Sequence, residues 1–261
     1  QRATVGQRRV ENAFTLELSS RWLWEHIHQA FKEHYGALIR TNLHDPEVVR
    51  LCYEAEHRRD RWYAVGALPG YETTGRVDPS WRRHWRAQHF IRELKASGAT
   101  NIVDIGSSKV YPAIFALEGF EETAVDVSQD ALDQAVEIAQ KWGVGDRVKV
   151  QQAWAQNLPF PDGSFSAAVL GEVLEHVPDP AVVLAEAYRV VKQGGVLIGS
   201  TPYGSHHLDP MHIGPRDGGW DDDTMNSLLA PYGEQVTRVE KIAEEGTEPS
   251  CFLFVLRKRT T

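Results

Sequence analysis

The 261-residue chain has only two cysteines, Cys52 and Cys251, and they form no CxxC pair. That shortage excludes a disulfide framework, a zinc ribbon and a thioredoxin-type redox motif. No apolar run is long enough to cross a bilayer, and none has a secretory pattern. No membrane segment and cytoplasmic residence are therefore expected. Positive charge is also scarce: 28 Lys and Arg stand against 36 Asp and Glu, a formal net charge of -8. Such a balance argues against broad binding to phosphate backbones, so no general nucleic-acid partner is expected. There is no internal repeat, no low-complexity tract and no GxGxxG turn. The missing turn weighs against an NAD-binding oxidoreductase.

What is present suits one α/β domain with an appendage, since 42% hydrophobic and 25% charged residues are ordinary for a globular chain. The informative stretch is VDIGSSKVYP, Val103 to Pro112. An apolar strand, Asn101 to Ile105, ends there in an acid, a glycine and two serines before a helical pattern resumes. Small molecules bind where strand carboxyl ends meet helix amino ends, because unpaired backbone N–H groups gather there. Gly106 permits a sharp turn close to a ligand. A second strand, Glu122 to Val127, carries Asp126 about twenty residues after that glycine, the distance at which nucleotide-binding units place a ribose-binding carboxylate.

Further motifs follow in order: AVDVSQDAL, NLPFPDGSF, GEVLEHVPDP and VVKQGGVLIGSTP. Together with VDIGSSKVYP they resemble the class I S-adenosylmethionine-dependent methyltransferases over about Thr100 to Thr201. The resemblance implies a Rossmann-like seven-stranded α/β sheet with helices on both faces, Cys251 to Leu256 being its antiparallel hairpin member, and S-adenosyl-L-methionine as cofactor. It implies Asp104, Gly106, Ser108, Asp126, Val127, Trp154, Ala155 and Gly171 as candidate cofactor contacts. The chain departs from the family at Ser108 and Val110, where glycines are usual, and at Trp154, where an acid is usual. A tryptophan there could stack on adenine or line the pocket, and Ala155 could offer its backbone N–H.

On a helix, Glu172, Glu175 and His176 would fall at i, i+3 and i+4 and share one face. Such a trio, with a further ligand, can hold a divalent ion such as Mg, Mn or Zn. The later loop TPYGSHHLDPMHIG supplies His206, His207, Asp209 and His212. Two methyltransferase families, of small-RNA 2′-O-methyltransferases and quinone-biosynthesis O-methyltransferases, pair an ExxEH start with a loop histidine, and by position His212 matches it. The alternative is a metal-free site with His176 merely packed. The expectation is methyl transfer to an oxygen of a small-molecule or sugar acceptor, with His176 and His212 as catalytic candidates. The departures at 108, 110 and 154 motivate a rival, a catalytically silent scaffold of the same fold. Oligomeric state is not legible.

Residues 1–97 read as a helical N-terminal cap, before a sheet domain over 98–261. Leu23, Ile27, Phe31 and Tyr35 make one face of a helix from Ser20, with Gly36 as its stop. Asp45-Pro46 and Asp78-Pro79 each open a helix, near 45–65 and 78–96, with a loop from Ala67 to Val77 between them. Trp22, Trp24, Trp62, Trp81 and Trp85 stand beside Arg58, Arg59, Arg61, Arg82, Arg83 and Arg86. They read first as helix packing with a solvated outer face, and second as an aromatic, basic cover over an acceptor.

Overall fold

The computed structural model describes residues 29–43, 45–64, 85–107, 109–204, 211–214 and 220–260. The helix α1, residues 29–41, precedes α2 (Pro46–Ala64) and α3 (Trp85–Ser97). Strands and helices then alternate: β1 (Asn101–Ile105), α4 (Tyr111–Leu117), β2 (Glu121–Asp126), α5 (Gln129–Lys141), β3 (Val148–Gln152), β4 (Phe165–Gly171), α6 (Pro180–Val190) and β5 (Val191–Pro202). The chain closes with α7 (Asp222–Leu229), β6 (Val236–Ile242) and β7 (Cys251–Arg257).

The seven strands form one sheet in the order β3-β2-β1-β4-β5-β7-β6. The first five are mutually parallel, and β7 inserts antiparallel between β5 and β6. This is the Rossmann-like seven-stranded sheet with helices on both faces that the motifs imply. Alternation along the strands sorts the core into two layers. Ile102, Val169, Ile198 and Val255 face α3, α4 and α5, through Phe90, Leu94, Phe115 and Ile138. Val103, Val125, Leu170 and Leu197 face α6 and α7, through Leu184, Ala187, Met225 and Leu229.

Local signals place the helix starts. Ser128 accepts the Ala131 N–H to cap α5, Asp179 accepts from Ala181 and Val182 ahead of Pro180 to cap α6, and Asp221 accepts from Thr224 to cap α7. Asp45 accepts from Glu47 and Val48 to start α2.

Three local expectations are corrected. Gly36 does not stop the first helix, which runs on to residue 41, where the Thr41 hydroxyl and the Asn42 amide bond the carbonyls of Ala37 and Leu38. The sequence pattern reads as a helix from Pro180 to Val191 with Gly194-Gly195 as its stop, but those glycines do not end α6; the chain is already extended at Val191, which pairs with Phe165, and a Cβ on Gly195 would lie 2.5 Å from the Ser166 carbonyl. Glu172 to His176 is not an α-helix. Glu172 adopts a left-handed φ of 58°, and only a single 3-10 turn, Leu174–His176, follows.

One core position is unusually tight. Gly199 of β5 lies opposite Phe254 of β7, and a Cβ there would sit 2.1 Å from the Phe254 ring carbon Cζ. Phe254 is fully buried, so it cannot step aside. Gly199→Ala should lower the melting temperature by about 3–10 °C in a thermal-shift assay, the cost of overpacking a core.

Candidate active site

The order change between β1 and β4 leaves a crevice at the strand carboxyl ends, where open α/β sheets bind ligands. Gly106 turns the chain out of β1 with φ 67°, and the N–H groups of Gly106 and Ser107 donate to the Val125 carbonyl at 2.8 and 3.0 Å. A Cβ on Gly106 would lie 2.6 Å from Cγ2 of Val173, so the turn and the stretch after β4 pack through this glycine. Gly106→Ala combines a backbone strain of about 1–2 kcal/mol with that overlap, and the melting temperature should fall by about 5 °C or more.

Carboxylates crowd this crevice. Asp104 is buried and accepts a hydrogen bond from the Ser107 hydroxyl at 2.9 Å. Burial, helped by the charge of Asp126 and opposed by the Ser107 bond, pushes Asp104 up to about 7. Asp126 ends β2, and its Oδ1 accepts the Ser128 N–H at 2.8 Å. Burial pushes it up to about 7 as well, with Glu54 of α2 adding to the rise while the Ser128 and Val127 N–H groups and Lys109 oppose it. Glu122, not singled out from the sequence, is buried on the same face of the sheet, and burial with the charge of Asp104 holds its carboxyl well above the ordinary range. Two acids facing so little water at the strand ends, Asp104 and Asp126, favour a ligand that brings hydroxyl donors or positive charge.

Across the crevice the 3-10 turn meets the loop 211–214. The Ile213 and Gly214 N–H groups both donate to the Glu175 carbonyl at 2.9 Å. Gly214 lies so close that a Cβ on it would be 2.9 Å from the Leu174 carbonyl. This docking brings one donor atom from each of Glu175, His176 and His212 within 4.8 Å of the others. The two imidazoles meet edge to face, with centroids 4.8 Å apart. His176 Nδ1 lies 3.3 Å from the Met211 carbonyl. A carbonyl can only accept, so that nitrogen carries the hydrogen, and in the neutral ring Nε2 keeps the lone pair. Glu175 is buried and accepts from the Thr201 hydroxyl at 3.1 Å, and burial together with the charge of Glu172 holds its carboxyl well above the ordinary range.

Glu172 does not join this group, contrary to the one-face expectation. Its left-handed backbone turns the side chain toward Ser200, whose hydroxyl donates at 2.7 Å, and toward Arg86, 3.4 Å away. Burial alone would weaken the charge on Arg86, but Glu172 together with Tyr111 and Cys251 more than restores it. Arg86 also stacks 5.0 Å over the Trp85 ring, so this arginine is not part of a solvated outer face. Trp22, Trp24, Trp62, Trp81 and the remaining arginines of that cluster lie outside the described side chains, as do Ser108, His206, His207 and Asp209. Trp154 rests against the apolar cluster of α1 and α2, Ala155 packs on the core below, Val127 accepts the Gln152 amide through its carbonyl, and Gly171 faces Phe90 and Tyr111.

Residues 103–199, the segment that builds this crevice, match the family model described as a methyltransferase domain. A ubiquinone/menaquinone biosynthesis C-methyltransferase of Bradyrhizobium sp. is 39% identical over 77 residues, 30% of this chain and 30% of that protein. A 27-O-demethylrifamycin SV methyltransferase of Amycolatopsis mediterranei is 36% identical over 106 residues, 40% of this chain and 39% of the relative. The chain spans about half or less of such relatives, from 30% to 53% of their length. Among solved structures, a SAM-dependent methyltransferase from Aquifex aeolicus superposes with a TM-score of 0.52 at 19% identity, covering 69% of this chain and 98% of that one. The [4+2]-cyclase SpnF superposes at 0.55 with 17% identity, covering 67% and 83%. These two share the methyltransferase fold, and the cyclase shows that the fold hosts other reactions.

Proposed function

We propose that the chain transfers a methyl group from S-adenosylmethionine to an oxygen of a small-molecule or sugar acceptor. The observation that carries this reading is the pairing, across one crevice, of the buried acids Asp104 and Asp126 with the Glu175–His176–His212 group. Asp126 suits the ribose diol, since Ser128 holds one carboxylate oxygen in place. Asp104 and its Ser107 bond suit the amino-acid end of the cofactor, whose ammonium would offset a buried carboxylate. The cofactor supplies a methyl group on a positive sulfur; the chain aligns an acceptor behind that methyl and excludes water. In its neutral form His176 can take the acceptor's proton on Nε2 as the new O–C bond forms and the S–C bond breaks. His212 stands 4.8 Å away, ring to ring, to orient it.

The same group fits a divalent ion. A buried carboxylate whose charge is disfavoured, beside two nitrogen donors, is relieved by a cation, and one oxygen with two nitrogens suits Zn or Mn with an open position for acceptor. Glu175, His176 and His212 would hold it, and it would supply stabilisation of the acceptor's alkoxide.

Thermal-shift titration with S-adenosylhomocysteine, with EDTA or with added Mg, Mn or Zn, tests both parts, because a ligand selective for the folded state must raise the transition. A cofactor shift is expected, with a further metal shift that Glu175→Gln removes. No cofactor shift under any condition would point instead to a silent scaffold. The pH dependence is a second check. The ligand's donors favour ionised Asp104 and Asp126, both pushed up to about 7, so affinity should rise with pH and level off above that value. Calorimetry should record a gain of about tenfold or more per unit just below that range, since two groups ionise together.

A further inference from the structure

We propose that α1 and α2 complete the active site, with Tyr53 and Arg40 as positioning residues for His176 and His212. The proposal rests on the reading that these two imidazoles act on the acceptor. Both histidines sit on irregular backbone, a single 3-10 turn and a short loop, which cannot fix a side chain through helix or sheet hydrogen bonds of its own. The N-terminal helices supply what that backbone lacks. The Tyr53 hydroxyl donates to the His176 carbonyl at 3.0 Å, and the Arg40 guanidinium donates to the His212 carbonyl at 3.3 Å.

The rings continue the arrangement. Tyr53 meets His176 edge to face with centroids 6.0 Å apart, and His176 meets His212 in the same way at 4.8 Å. A line of perpendicular rings therefore runs from α2 through the turn to the loop. On either side of His212, Met211 and Ile213 pack with Ile39, Val49 and Cys52 of the two helices. The loop histidine is thus gripped from its neighbours as well as from its own carbonyl. Misplacing a reacting group by about 1 Å can slow a reaction about a hundredfold, so the grip bears directly on chemistry. Tyr53 is half-buried and its bond is the shorter, while Arg40 is exposed. The larger effect is assigned to Tyr53.

The test compares the full chain with Tyr53→Phe, which keeps the ring and removes only the hydroxyl, and with Arg40→Met and Arg40→Lys. Imidazole nitrogen spectra, assigned with His176→Gln and His212→Gln, report the placement of both rings without any acceptor. Calorimetry with S-adenosylhomocysteine reports the cofactor half. Tyr53→Phe is expected to move the His176 and His212 signals while cofactor affinity stays within about twofold and the melting curve keeps its shape. Arg40→Met should move His212 less, and Arg40→Lys should restore most of it. Co2+ alone is the metal probe: its visible absorption should change in Tyr53→Phe, with affinity lowered about tenfold, as for other supports of metal ligands. Imidazole signals unmoved by Tyr53→Phe overturn the proposal. So does a loss of cofactor binding together with the imidazole shifts, which assigns Tyr53 to the fold. Wild-type chain that takes up no Co2+ while Tyr53→Phe still moves the imidazoles removes the metal from the proposed function and leaves the positioning intact.

Discussion

Asparagine at position 126 should weaken S-adenosylhomocysteine binding by about 10–100-fold, because two charge-assisted bonds to the ribose diol become neutral ones and each loses about 1 kcal/mol. Asp126→Asn keeps the oxygen that accepts the Ser128 N–H, so the start of α5 should survive. The ligand-free fold should respond in the opposite sense. Asp126 is pushed above its ordinary value to about 7 in the folded chain, so its contribution to stability is full below the ordinary carboxylate range and is lost as pH rises through about 7. Removing the ionisable group spares the fold that loss. The melting temperature of Asp126→Asn should therefore exceed that of the parent by several degrees at pH 8 and match it near pH 4. A variant that binds the ligand worse while melting higher separates a binding acid from a structural one. Equal ligand affinity in the two proteins would remove Asp126 from the cofactor site.

Alanine at position 212 should lower turnover by about 10²–10⁴-fold on a hydroxyl acceptor at pH 7.5, the range for loss of a positioned acid–base group or of its support. Glu175→Gln should lower it as well, and addition of Zn2+ or Mn2+ should rescue the parent after chelation but not this variant. The two substitutions bear on different links. His212 meets His176 edge to face, whereas Glu175 is held by the Thr201 hydroxyl. A deep loss at His212 with little at Glu175 selects the histidine-base version over the metal-assisted one. Nearly unchanged turnover in both variants would mean an acceptor that needs no deprotonation aid, such as an amine. Cofactor affinity should stay within about twofold in both, because neither residue lies at the β1 and β2 ends.

The strands and helix starts were legible because their causes are local. Asn101–Ile105 is a short apolar run before a glycine, and Ser128, Asp179 and Asp221 satisfy N–H groups two or three residues away. Asp104, Gly106 and Asp126 were legible for a related reason: a strand end, a turn and a second strand end occur at fixed spacing in one βαβ unit. The edge strand β6 is not legible in the sequence, since it mixes charged residues, Arg238, Glu240 and Lys241, with few apolar ones and only its register with β7 makes it a strand. Glu172, Glu175 and His176 have the residue types that the chemistry needs, but their backbone is not the helix that their spacing implies. Helical spacing put all three on one face, whereas packing of Val173 into the space over Gly106, together with the left-handed Glu172, sends Glu172 to Arg86 and Ser200.

The sequence by itself determined the order of strands and helices, the acids at the ends of β1 and β2, and the supply of oxygen and nitrogen donors downstream. Each of these follows from residue spacing and hydrogen bonding within a few positions. Only the tertiary structure decided which donors meet. Glu175 and His212 come together because a loop docks its N–H groups on the carbonyl of the 3-10 turn, and Tyr53 and Arg40 reach their histidines across 123 and 172 residues of chain. No periodicity carries information over such separations. Burial does, through the apolar cluster that seats α1 and α2 against the loop, and it is burial that turns four ordinary carboxylates into groups requiring a partner.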